Sequence, residues 1–190
     1  MKQIKLIILV IYIFVTSCQS QEIEITKQPT DLPVKISISK SYNDSTIVNI
    51  MLPQKLLVKN GSNKTRLVQT RLSLSGANIY GEKGSRLYAF KDSLVFPPYK
   101  QIFSENEKQV FSLYASYQTY LTDKEKNQLL KGSKLVQLKH KKEVYDVNPL
   151  IDVNKIISKK IPDSLKGFIR FSLYDMPLDS SSYKNIPIEF

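Results

Sequence analysis

Residues Gln109 to Tyr120 read QVFSLYASYQTY. Phe111, Leu113 and Ala115 fall on one side of an extended chain and Ser112, Tyr114 and Ser116 on the other. This period of two predicts a long strand with one face turned to a core. Directly after it, Thr122 followed three residues later by Glu125 makes a capping-box pattern, with Asp123 in the first turn, Lys131 in the last and Gly132 just beyond. Those signals predict one short helix over 122–131.

Upstream, Val34, Ile36 and Ile38 alternate with Lys35, Ser37 and Ser39, and Asn43 and Asp44 supply a turn. The run Thr46 to Lys59 is β-branched at its start, interrupted by Pro53 and followed by Asn60-Gly61-Ser62-Asn63, turn chemistry that predicts a hairpin. Further strands are expected over Leu67 to Leu74, Asn78 to Tyr80 and Arg86 to Phe96, the last stopped by Pro97 and Pro98. Downstream, Leu135 to Leu138, Glu143 to Val147 and Phe168 to Tyr174 read as strands, and Val153 to Ile157 as a strand or a short helix. Many short strands separated by turn signals predict a mainly β chain folded as an antiparallel β-sandwich. The piece Leu56 to Ser62 resembles the strand-to-turn segment of immunoglobulin-like domains in bacterial envelope proteins, which implies the same fold class.

Composition narrows the chemistry. The chain has 190 residues, 42% hydrophobic and 24% charged, with one Cys, one His and no Trp. One cysteine excludes an internal disulfide and a thiolate metal cluster, and one histidine confines any His-based chemistry to His140. No cofactor and no metal are expected.

The N-terminus reads as an address. Lys2 and Lys5 precede an apolar run, Leu6 to Val15, and then Thr16 and Ser17, the order of a secretory signal peptide over 1–17. Ten apolar residues fall short of the roughly 18 to 20 that span a bilayer. The only cysteine stands directly behind, in Val15-Thr16-Ser17-Cys18, which resembles the lipobox of bacterial lipoproteins. The resemblance implies cleavage before Cys18, acylation of its thiol, and membrane lipid as the first partner. Gln19 in place of the aspartate that retains such proteins at the inner membrane implies the outer membrane, on its periplasmic face or the cell surface. With 24 Lys against four Arg and many Ile, Asn, Tyr and Ser, the chain is also similar to lipoproteins of the Bacteroidota. Loss of Lys2 and Lys5 with the leader lowers the formal charge from +11 to +9. The polar stretch over 18–33, with Pro29 and Pro33, is expected to be a flexible tether, and a single domain is expected over 34–190.

The densest charge is Lys131, Lys134, Lys139, His140, Lys141 and Lys142. Lys134, Lys139, Lys141 and Lys142 read either as an anion-binding face or as a solvated edge strand that lysines keep from aggregating. The tripeptides starting at Asp44, Asp92 and Asp163 resemble the Bacteroidota O-glycosylation pattern, which would put glycans on Ser45, Ser93 and Ser164. They also read as ordinary turns. The combined reading is a non-enzymatic, lipid-anchored binding or structural module of the envelope, whose protein or glycan partner would be acidic and would not be nucleic acid. The alternative is a periplasmic immunity protein that neutralises a toxin, and a hydrolase built on carboxylates alone is the third reading.

Overall fold

A computed structural model describes residues 23–41, 44–75, 86–90, 94–95, 101–139, 142–157, 159, 166–176 and 181–188. The fold is mainly β, two antiparallel sheets and one eight-residue helix, as the alternation and the capping box predict. Sheet A runs β6(Leu94–Val95), β5(Arg86–Phe90), β8(Lys108–Thr122), β3(Ser45–Asn60), β2(Lys35–Ser41), β10(Lys142–Asp146), β9(Lys134–Lys139). β1(Ile23–Gln28) also pairs with β3. Sheet B runs β12(Ser181–Ile188), β11(Lys166–Asp175), β4(Arg66–Ser75), β7(Gln101–Phe103).

The spine is the β3–β8 ladder, in unbroken register from Ser45 opposite Thr122 to Lys59 opposite Lys108. Alternation puts even residues of β3 and odd residues of β8 on one face. Along that face two different structures cover the sheet. Around Leu56, Val58, Phe111 and Leu113, sheet B supplies Val68, Ile169, Phe171 and Ile186. Phe111 packs edge-on against Phe171, with ring centroids 6.2 Å apart, and stacks on Phe103 at 5.9 Å. Around Val48, Ile50, Tyr117 and Leu121, the cover is Leu129 of α1(Asp123–Leu130), Val147, and Ile156 of α2(Val153–Ile157). Thr122 caps α1 as expected: its hydroxyl accepts from the Glu125 N–H (3.3 Å), and the Glu125 carboxylate accepts from the Thr122 N–H (2.9 Å). Gly132 ends the helix at a φ of 70°, the left-handed conformation that favours glycine.

Three expectations are corrected. Part of the expected tether over 18–33 is β1, paired residue for residue with β3, and Ile23 is fully buried in the core. Ile23 and Ile25 do alternate with Glu24 and Thr26, but the polar composition around them hides a strand that borrows its hydrogen bonds from β3. The expected hairpin at Asn60 is also absent. β3 lies in sheet A and β4 in sheet B, so the turn carries the chain across the sandwich. Asn60 holds that corner from within: its amide donates to the carbonyls of Lys64 (2.8 Å) and Ser104 (2.9 Å), and its side-chain oxygen accepts from Ser62 Oγ (2.7 Å). Turn residues specify a change of direction and not the partner met afterwards. Lastly, Pro53 does not break the strand. It lies between Met51, the last residue paired with β2, and Lys55, the first paired with β1, where β3 has a neighbour on one side only.

Two more strands, β7 and β12, were not legible. Expected strand residues 78–80 and the stop at Pro97 and Pro98 lie outside the described residues, while the Arg86 to Phe96 run is split into β5 and β6.

Candidate functional site

The basic run occupies the end of sheet A. β9 pairs with β10 and with no other strand among the described residues, so it is an edge. Lys134 is exposed, and so are Leu135 and Val136 on its two faces. The backbone sets Lys139 opposite Lys142. His140 and Lys141 lie outside the described residues, as do Cys18, Ser93 and Ser164. Ser45 is half-buried at the first position of β3. Of the sequence-predicted site residues, only Lys134, Lys139, Lys142 and Ser45 thus fall among the described ones.

Carboxylates are mostly engaged in holding the fold. Asp146 pairs with the buried Lys35, whose ammonium also lies 5.6 Å from the centre of the Tyr114 ring. Arg66 Nε meets Asp175 at 2.8 Å at the end of sheet B, where Lys64 also approaches Asp175 at 3.8 Å. Glu24 pairs with Lys59, and Glu107 accepts from the Ser104 N–H in the β7–β8 turn. Three phenols are held above their ordinary range. Burial is the main cause at Tyr114 and Tyr117, and a hydrogen bond to Glu143 (2.6 Å) at Tyr145. Among the described residues, no three His, Cys, Asp or Glu groups converge as a metal site would need.

The most unusual surface is the outer face of sheet B, which the sequence reading missed. Register defines it as five rows across the strands: Ile102, Leu67, Tyr174, Ser181; then Gln69, Ser172, Tyr183; then Arg71, Arg170, Asn185; then Ser73, Phe168, Pro187; then Ser75, Lys166. No carboxylate stands in those rows. Arg71 is exposed and directly opposite Arg170. The Arg170 guanidinium is fixed between two rings, 5.4 Å from the Phe168 centroid and 4.9 Å from that of Tyr183, and its Nε donates to Asn185 Oδ1 at 3.2 Å. Tyr183 is 68% exposed, and Ile102 64%. Cation–π contacts of this kind orient a guanidinium without neutralising it. The sequence did carry a signal: in Phe168 to Tyr174 both alternate sets hold large side chains. A strand with one wet face has no packing need for aromatic residues on that face.

Comparison with models of known protein families matched none of them, and comparison with curated proteins likewise found no match.

Proposed function

We propose that the chain is a bacterial lipoprotein, acylated at Cys18 and held at the outer membrane, whose sandwich works as a non-enzymatic binding module. The carrying observation is the lone cysteine placed directly behind a charged, then apolar, then small-residue leader. Two or more acyl chains anchor stably where one would be marginal, since each buried methylene contributes about 0.8 kcal/mol.

The fold supports the reading and sharpens it. Four residues, Gln19 to Glu22, separate Cys18 from β1, a reach of roughly 17 Å at full extension. Ile23 pairs with Asn60, so the anchored end of the sandwich is the one carrying the Asn60 corner and the Ser104–Glu107 turn. From Asn60 to Val48, level with the β9–β10 hairpin, β3 rises about 40 Å. An upright sandwich thus carries its basic hairpin away from the headgroups and turns its outer sheet faces sideways.

The test is Cys18→Ala in the full chain expressed in its bacterial host. Wild type is expected to take up labelled fatty acid and to partition into detergent. The variant is expected to lose both and to accumulate as unprocessed or soluble protein. Undiminished label and partitioning in the variant would overturn the reading.

A further inference from the structure

We propose that the outer face of sheet B binds an acidic polysaccharide, with Arg71 and Arg170 meeting its carboxylate or sulfate groups and Tyr183 stacking on a sugar ring. This names a ligand class for the binding module above and rests on that reading; the anchor at Cys18 enters only in the argument against lipid headgroups.

Four observations converge on it. First, Arg71 and Arg170 stand directly opposite across a strand pair, where Cβ atoms are about 5 Å apart and like charges oppose pairing. The fold gains nothing from that arrangement, and no acid in the surrounding rows offsets it. Second, the chain has only four arginines against 24 lysines, yet two of the four are adjacent here. A guanidinium offers the planar fork that matches a carboxylate or sulfate, which an ammonium lacks. Third, Arg170 is pre-oriented. The Phe168 and Tyr183 rings lie 5.4 and 4.9 Å from its centre and Asn185 holds Nε, which leaves its terminal nitrogens without a protein partner among the described residues. Less side-chain freedom is then lost on binding. Fourth, Tyr183 presents an open ring beside that cation, and the apolar C–H face of a pyranose stacks on such a ring while its hydroxyls meet Gln69, Ser172 and Asn185.

Shape decides between ligand classes. The described site is spread in rows over four strands of one sheet face, so it fits an extended polymer better than a small anion. Headgroups fit poorly, because the strands of sheet B run along the sandwich and its outer face turns sideways in an upright molecule.

The experiment uses the full chain in detergent and measures retardation in gels containing polygalacturonate (carboxylate), dextran sulfate (sulfate) or neutral dextran. Wild type is expected to be retarded by at least one of the acidic polymers and not by neutral dextran, and which polymer retards it assigns the anion. Arg71→Gln and Arg170→Gln should each weaken retardation at least tenfold, and Tyr183→Ala at least threefold. The joint change Lys134→Gln, Lys139→Gln and Lys142→Gln, which removes more charge from another surface, should alter it less than twofold. Thermal melts check that every variant is folded. Arg71 is exposed, so its variant stays informative if the Arg170 variant does not fold. The proposal is overturned if neither acidic polymer retards the wild type, if the lysine variant loses as much binding as the arginine variants, or if Arg71→Gln lowers binding to phosphatidylglycerol vesicles but not to the polymers. Failure here with Cys18 acylated leaves the anchor reading intact and removes only the ligand class.

Discussion

The outer faces of the two sheets show opposite uses of charge. On sheet A, Lys35 is 5% exposed, pairs with Asp146 and lies over the Tyr114 ring, while Tyr114 donates to the carbonyl of Pro33 at 3.0 Å. The loop between β1 and β2 folds back over that face and packs Leu32 on Met51, Tyr114 and Val144. Further along the same face, Glu24 answers Lys59. On sheet B nothing described covers the outer face, its Arg71 and Arg170 stand opposite each other, and Tyr183 is left 68% exposed. A covered face must pair its charges because desolvation penalises each one left alone. An open face is under no such constraint, so two opposed cations can stand there unpaired, and it is to this pair that the proposal above assigns a ligand.

That contrast can be broken most forcefully at Asp146. Asp146→Asn takes the carboxylate from a buried ammonium and is expected to lower unfolding stability by about 3 kcal/mol in urea titrations. The double change Lys35→Met with Asp146→Leu should recover most of the loss. A single-variant cost below about 1 kcal/mol would mean that the pair is solvated and the face less closed than described.

A smaller effect is expected from Tyr114→Phe, which removes the hydrogen bond to Pro33 and should cost about 1 kcal/mol at neutral pH. Its pH signature is more telling. Burial holds the Tyr114 phenol above its ordinary value of 10.0, so above that pH the unfolded chain loses its proton while the folded protein keeps it. Stability therefore falls as pH rises past about 10, and the fall should be shallower in the Phe variant than in wild type. Equal slopes would contradict the burial of this phenol.

The smallest expected change is on the open face. Arg71→Gln relieves a like-charge cross-strand pair, so the denaturation midpoint should stay the same or rise by no more than the equivalent of about 0.5 kcal/mol. A destabilisation above about 1 kcal/mol would show that Arg71 serves the fold, and the contrast between the faces would lose its meaning.

Particular elements show why the sequence was only partly legible. Strand β8 and helix α1 were readable because their signals are local: alternation within Gln109 to Tyr120, and a cap that closes within three residues. Strand β1 was not, because six residues of mixed polarity become a strand only when β3 offers its hydrogen bonds. Pro53 misled for the same reason, since its harmlessness depends on where β2 ends and β1 begins. The arginine–aromatic face was invisible because Arg71 and Arg170 are far apart in the chain and meet only through the β4–β11 register. The lysine run stood out by local density, and its described members Lys134, Lys139 and Lys142 lie on the paired strands β9 and β10.

The sequence by itself determined the β class, the single capped helix, the charge balance, and the leader-and-cysteine pattern from which the membrane anchor is proposed. Each of these is written in neighbours along the chain, where spacing and side-chain chemistry suffice. Tertiary structure alone decided that the Asn60 turn crosses between sheets, that β1 completes the core five residues after Cys18, and that Arg170, set against two aromatic rings, stands opposite the distant Arg71. Those outcomes depend on which strands pair and in what register. Pairing is set by the joint burial of many apolar residues, and no local pattern carries that information.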